Sequence, residues 1–229
     1  VATRMHLPEM TIAYGLTEAS PVITQTEVTE PLEVRVTSVG HPLPGVEVRI
    51  VDALTGADVA EGAQGELWTR GHNVMLGYYD KPEETAAAIT PDGWLRTGDL
   101  AVRTPDGHYR ITGRSKDVII RGGENVYPRE VEEFLLSHPK VRDVQVVGLP
   151  DTKYGEQVSA WVIPEDASLT EDELRAWCAG KIAHFKIPKY IQFTDAYPLT
   201  VTGKVQKFRL REMGIDRFQL QEAARIETA

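Results

Sequence analysis

Four short segments of the chain carry residue types able to act on a phosphorylated ligand. In YGLTE, Tyr14 to Glu18, a hydroxyl at Thr17 and a carboxylate at Glu18 follow Gly15. That pair suits a phosphate oxygen and a hard cation such as Mg²⁺, and equally a plain helix cap. In WLRTGD, Trp94 to Asp99, the Asp99 carboxylate follows Thr97-Gly98, where it suits two ribose hydroxyls or a simple turn. In GRSKDVIIRGGENVYPREVEEFLL, Gly113 to Leu136, a Gly-Arg step ends one strand and Lys116-Asp117 leads into another. The double glycine Gly122-Gly123 then delivers the chain to a helix. Glycines there let backbone approach a ligand that side chains would block, and Arg114, Lys116 and Arg121 suit an anionic partner. In PLTVTGK, Pro198 to Lys204, a lysine after a glycine can carry a point charge onto a phosphate or carboxylate, or serve as an ordinary surface lysine. Singly each segment is weak.

The elements that must position these residues fall into two textures. Met10 to Tyr14 is a short β-like run. From Val46 to Thr112 the sequence is β-rich: Val46 to Val51 and Glu66 to Arg70 alternate apolar and polar residues, with Gly56, Gly62 and Gly65 in the connections. Pro82 to Ile89 reads as a short helix with proline in its first turn, and Asp92-Gly93 and Asp106-Gly107 as turns. The expectation is a β subdomain, a distorted barrel. After Arg114 strands and helices alternate: a helix from Glu130 to Ser137, strands at Val141 to Gly148 and Gln157 to Ile163, and a helix capped by Thr170 and Glu173 that runs to about Ala183. A short strand follows at Ile191 to Phe193, and a polar, frayed helix from about Asp216. The fold class is therefore α+β, with the boundary at Lys116: residues 1–115 form one domain and residues 116–229 a small α+β domain.

Composition narrows the function. The 229 residues are 41% hydrophobic and 26% charged, ordinary for a globular protein with ample core. A net charge of −9 argues against nucleic-acid binding, which needs a basic surface. Cys178 is the single cysteine, so no intramolecular disulfide or cysteine metal cluster forms; its neighbours Leu174, Trp177 and Ala179 make it a core residue. No apolar run approaches a membrane span. Val1 to Pro8 lacks an initiator methionine and a signal-peptide layout, so the chain reads as entered in mid-domain, and a cytoplasmic location is expected.

Together and in order, the four segments resemble the adenylate-forming superfamily of acyl-CoA synthetases, nonribosomal peptide adenylation domains and luciferases. The resemblance runs from about Thr11 to Arg211, and GELWTRGHNVMLGYYDKPEET, Gly65 to Thr85, adds a fifth segment. RGGENVYPREVEEFL and VMLGYY are most similar to the medium-chain fatty-acyl-CoA synthetase branch. The resemblance implies the end of a large AMP-binding domain followed by a small mobile domain, with ATP, Mg²⁺, CoA and a fatty acid as ligands; homo-oligomer formation stays open. It implies Tyr14 and Gly15 along the adenine, Thr17 at the α-phosphate, Glu18 on Mg²⁺, and Asp99 on the ribose with Arg114 beside it. It further implies Lys116 as hinge, Gly122 and Gly123 at the thiol tunnel, and Lys204 bridging acyl carboxylate and α-phosphate. Arg121 and Lys189 are the residues expected at the CoA phosphates.

Two departures bear on this reading. The family's Ser/Thr/Gly-rich phosphate loop is absent, so the chain is expected to be the C-terminal part of an enzyme and inactive alone. Ile120 and Gly122 stand where coumarate ligases and luciferases carry lysines, which disfavours those substrates. Two rivals remain: a non-catalytic module that binds nucleotide or a partner, and an adenylating enzyme that loads a carrier protein.

Overall fold

The computed structural model describes residues 6–226 and divides the chain into two units, Val1–Ser115 and Lys116–Ala229. In the first unit, three two-residue strands, β1 (Ala13–Tyr14), β2 (Thr24–Gln25) and β3 (His41–Pro42), pair antiparallel in that order, with helix α1 (Leu32–Thr37) between β2 and β3. A four-stranded antiparallel meander follows: β4 (Val46–Val51), β5 (Gln64–Gly71), β6 (Leu95–Arg103) and β7 (Tyr109–Arg114), with helix α2 (Pro82–Ala88) between β5 and β6. Pro82 opens α2, where its fixed φ suits a first turn and its missing N–H is not needed.

Strand alternation sends neighbouring residues of β5 to opposite faces, and both faces are covered. Leu67 enters a core with Ile23, Val46, Ile50, Leu95, Ala101 and Tyr109. Trp68 packs instead with Val51 and Trp94, under the guanidinium groups of Arg49, Arg70 and Arg96. The expected barrel is not formed. β4 and β7 are the ends of the meander and do not pair with each other; the segment leading into β3 meets β7 through two backbone bonds, Val39 N–H to Tyr109 O (2.8 Å) and Tyr109 N–H to Gly40 O (3.1 Å). Strands of two residues supply too few ladder bonds to close a cylinder.

In the second unit, β8 (Ile119–Arg121) and β9 (Glu124–Val126) form a hairpin, followed by helix α3 (Pro128–Leu136) and the long strands β10 (Val141–Asp151) and β11 (Gly155–Pro164). Helix α4 (Glu171–Cys178), strand β12 (Tyr190–Phe193) and helices α5 (Lys207–Arg217) and α6 (Gln221–Ala224) complete it. The sheet order is β10-β11-β8-β9, and β12 runs parallel to β11. Val144, Val146, Val158, Ala160 and Val162 face one side, covered by Val131 and Leu135 of α3 and by Leu174 and Cys178 of α4. Val147, Leu149 and Trp161 face the other, covered by Leu210 of α5. Each buried valine or leucine among them contributes about 1.5–3 kcal/mol.

Several expectations need correction here. Gly122-Gly123 does not deliver the chain to a helix: with φ of 62° and 86° it turns β8 into β9. Successive left-handed residues are what a two-residue hairpin requires. Helix α4 stops at Cys178, short of Ala183, because Ala179 turns extended and Gly180 adopts φ 72°. Only half of its capping box forms: the Thr170 hydroxyl accepts from Glu173 N–H, while the Glu173 carboxylate goes to Lys140. Helix α5 begins well before Asp216, and Ile215, Phe218 and Leu220 pack on the second core, so this tail is not merely polar. Part of the N-terminal stretch 1–8 and the end of the tail lie outside the described residues.

Candidate functional site

In the first unit the site is organised around Asp99. It lies in β6 opposite Arg114 of β7, and it is buried to 8% exposure. Tyr14 donates its hydroxyl to Asp99 Oδ2 at 2.7 Å, and Arg114 Nε donates to Oδ1 at 3.1 Å. The strand is irregular just here. Gly98 takes φ 71°, its N–H donates to the buried Glu66 carboxylate at 2.9 Å, and Thr97 donates its hydroxyl to Leu67 O at 2.6 Å. This kink aims the Asp99 carboxylate at Tyr14 rather than along the pleat. Burial, and next the charge of Asp99, push the Tyr14 hydroxyl well above the ordinary tyrosine range, so it stays a neutral donor.

Tyr14 ends β1, and Gly15 follows it into a 3₁₀ turn, Thr17–Ala19. A Cβ on Gly15 would sit 1.8 Å from Pro21 O, so only glycine fits where the two backbones pass. Thr17 is exposed at the head of the turn. Glu18 Oε1 accepts from the Tyr78 hydroxyl at 2.9 Å, and Glu18 O accepts from Met75 N–H at 2.8 Å. The carboxylate forms no ion pair with a described residue, so its remaining lone pairs are available to a hard cation, and Glu18 fits a Mg²⁺ ligand. Sequence reasoning overlooked Tyr78 and Glu66. Both stand in the segment Gly65 to Thr85, yet their partners lie 60 and 32 positions away.

In the second unit Lys116 is exposed within a 3₁₀ turn, Ser115–Asp117. Arg121, Gly122 and Lys189 gather at the turn that joins β10 to β11. Gly122 N–H donates to Tyr154 O at 2.8 Å, and Arg121 lies over the Tyr154 ring while its Nε donates to Gln157. Lys189 Nζ donates to Asp151 Oδ2 at 2.8 Å. Burial alone would raise the Asp151 carboxyl; the Lys189 ammonium and the amides of Tyr154 and Lys153 overcome it and hold the group at about 2. Gly123 is exposed at the hairpin tip, and a Cβ there would touch nothing within 4 Å. Lys204 lies on a separate exposed turn, closed by Thr200 N–H to Lys204 O at 2.8 Å, and its ammonium makes no ion pair with a described residue.

The structure therefore joins Tyr14, Asp99 and Arg114 in one hydrogen-bonded group, with Gly15, Thr17 and Glu18 following in chain. A buried carboxylate with polar neighbours on both oxygens is suited to a vicinal diol, and an exposed hydroxyl beside a free carboxylate to a phosphate with its counter-ion.

Comparison with known proteins agrees with this chemistry. A family model described as AMP-binding enzyme matches residues 2–79, and one described as AMP-binding enzyme C-terminal domain matches residues 130–204. The putative acyl-CoA synthetase YngI of Bacillus subtilis is 56% identical over 224 residues, covering 97% of this chain and 41% of that protein. The mitochondrial medium-chain acyl-CoA ligase ACSF2 of Bos taurus is 47% identical over 213 residues, covering 93% of this chain and 35% of that protein. Among solved structures, ATP-bound MatB from Rhodopseudomonas palustris aligns with a TM-score of 0.86 at 36% identity, over 91% of this chain and 41% of that one. The o-succinylbenzoate CoA synthetase MenE of Bacillus subtilis, in complex with its acyl-adenylate intermediate, aligns with a TM-score of 0.79 at 31% identity, over 90% of this chain and 43% of that one. The chain thus spans about two-fifths of the length of the relatives it matches.

Proposed function

Because the chain belongs to the AMP-binding enzyme family of adenylate-forming proteins, we propose that it supplies the ribose-binding wall and the acyl-transfer unit of an ATP-dependent, medium-chain acyl-CoA synthetase. The observation that carries this reading is the buried Asp99 carboxylate, held between Tyr14 and Arg114 in the geometry of a diol acceptor. The relatives named for acyl-CoA synthesis support the reaction class, and the medium-chain ligase supports the acid.

In this reading Asp99 accepts the two ribose hydroxyls, Tyr14 and Gly15 flank the adenine, and Thr17 donates to the α-phosphate. Mg²⁺, when bound by Glu18, would neutralise phosphate charge. Attack of a carboxylate on the α-phosphate brings two anions together, so fixed position and positive charge are the main contributions the protein can make. Lys204 provides that charge from an exposed turn, by donating to both anions; a donor of this kind is worth about 2.7–4 kcal/mol where water is excluded. The carboxylate oxygen forms a bond to phosphorus and pyrophosphate leaves. The CoA thiol then attacks the acyl carbon, and AMP leaves. Gly122 and Gly123 present bare backbone to the pantetheine arm, Arg121 offers its guanidinium to a CoA phosphate, and Lys116 is the pivot. Lys189 donates once to Asp151 and is half-exposed, so its remaining N–H donors can meet a CoA phosphate. The thiol of Cys178 is free and buried.

No Ser/Thr/Gly-rich phosphate loop occurs in these 229 residues. Alone, the chain is expected to bind AMP without ATP–pyrophosphate exchange. Joined to a loop-bearing upstream segment, it is expected to convert medium-chain acids to acyl-CoA. Lys204→Ala in that longer polypeptide should lower adenylation by about 100-fold or more while sparing thioester formation from pre-made acyl-adenylate. Equal losses in both half-reactions, or activity confined to aryl or amino acids, would overturn the proposal.

A further inference from the structure

Away from Asp99, the first unit holds a second cluster of ligating side chains. One ring nitrogen each from His41 and His108 and one carboxylate oxygen of Glu30 all lie within 4.8 Å of one another. Glu30 Oε1 is 2.6 Å from His108 Nε2 and 3.6 Å from His41 Nε2. The two imidazole rings are 4.1 Å apart between centroids. Three separate segments meet here: the residue pair that precedes α1, the start of β3, and the last residue of the turn before β7.

Local structure fixes each of them. Thr104 N–H donates to His108 O and Gly107 N–H to Thr104 O, so a tight turn with Gly107 at φ 87° sets down His108. A Cβ on Gly107 would lie 3.6 Å from the His41 ring, and the Tyr109 N–H to Gly40 O bond ties the residue after His108 to the residue before His41. Glu30 is oriented from its other oxygen, since Glu27 N–H donates to Oε2 at 2.8 Å and leaves Oε1 facing both rings.

The surroundings are those of ligands with supporting contacts. His108 is 8% exposed, and its Nδ1 lies 2.9 Å from Asp106 Oδ2, so a small rotation of the exposed Asp106 side chain lets it accept the Nδ1–H. A carboxylate behind a histidine whose other nitrogen faces a ligand position is the arrangement that orients metal-binding imidazoles. Around a tetrahedral Zn²⁺ with bonds of about 2.0–2.2 Å, neighbouring ligand atoms are about 3.4 Å apart. The 3.6 Å pair already meets that spacing, and the 2.6 Å pair must open by less than an ångström. Two imidazoles and one carboxylate select borderline ions over Mg²⁺ or Ca²⁺, and three protein ligands leave a fourth position for water.

We propose that Glu30, His41 and His108 bind one divalent ion of the zinc class, oriented by Asp106 and the Glu27 amide. The ion fastens the excursion between β2 and β3, including α1, onto the β6–β7 hairpin. Among the described residues, no hydrogen bond or ion pair joins Glu30, His41 or His108 to Asp99, Glu18 or their partners.

The test uses the tag-free 229-residue chain, stripped with a chelator and titrated with Co²⁺ and Zn²⁺. Expected are one equivalent of Co²⁺ with the visible absorption of a four- or five-coordinate ion, its displacement by Zn²⁺, and a rise in thermal midpoint on metal addition. His41→Gln and His108→Gln should each weaken binding at least about tenfold, and Asp106→Asn about 10–100-fold. The exposed His184 lies outside the cluster, so His184→Gln should leave binding unchanged. His41 is half-exposed, so its variant retains the fold, as circular dichroism will show, and carries the test if His108→Gln fails to fold. Absence of saturable Co²⁺ binding overturns the proposal, as does binding that survives His41→Gln or is lost in His184→Gln. Equal affinity for Mg²⁺ overturns the assignment of ion class.

Discussion

At the scale of the residue, charge is placed where burial makes it count. Asp99 has its two oxygens committed to Tyr14 and Arg114, so Asp99→Asn keeps the shape and the Tyr14 contact while removing the charge. The expected outcome is AMP binding about tenfold weaker in calorimetric titration, with the thermal midpoint little changed. Asp151 gives a pH-dependent counterpart. Its carboxyl drops from the ordinary 3.8 to about 2 through Lys189 and two amides. A depressed carboxyl stabilises the fold at pH values above about 4, and that contribution disappears as pH falls from about 4 to 2. It amounts to at most about 2 kcal/mol, lessened by solvent at the half-exposed Lys189. Asp151→Asn should therefore be less stable than the parent at neutral pH in urea unfolding, with the gap closing over that acid window; a constant gap would show the ion pair to be irrelevant. Asp99, Glu18 and Lys204 could be singled out from the sequence because each sits in a short ordered motif. Tyr78 and Glu66 could not, since hydrogen bonds across 60 and 32 positions leave no local trace.

At the scale of the element, two glycines do different work and should fail differently. Gly15→Ala drives a methyl into Pro21 backbone, which cannot rotate aside, so the loss should exceed about 3 kcal/mol and appear as misfolding or a large drop in midpoint. Gly123→Ala meets open space and bears only the penalty of a left-handed conformation, about 1–2 kcal/mol, read by urea unfolding. Alternation and helical spacing revealed β4, β5, α3, β10 and β11 because each spans enough residues to show a pattern, and Pro82 marked the start of α2. Such patterns did not reveal the β8–β9 hairpin, where three-residue strands are too short to show a period and a double glycine reads as well for a helix approach. The barrel expectation erred for a related reason: alternation identifies strands, and only the pairing of β4 and β7, which local pattern does not encode, would have closed them.

At the scale of the whole molecule, each unit owns its cores. Ile23, Leu67, Leu95 and Tyr109 pack within the first, as do Val51, Trp68 and Trp94. The cores around Val131 and Val158 and around Leu149 and Leu210 lie wholly within the second. Residues 116–229 produced alone should accordingly give a dispersed amide NMR spectrum and a cooperative unfolding transition, whereas an unfolded spectrum would refute their independence. The expected boundary at Lys116 rested on the change of texture after Arg114, because a β-rich stretch and a strand-helix alternation call for different hydrophobic layer plans. The change of unit between Ser115 and Lys116 also bears on inheritance. A genetic exchange broken at that codon pair would transmit each unit with its own cores unbroken, so descendants could acquire a new second unit in one event without passing through a misfolded ancestor.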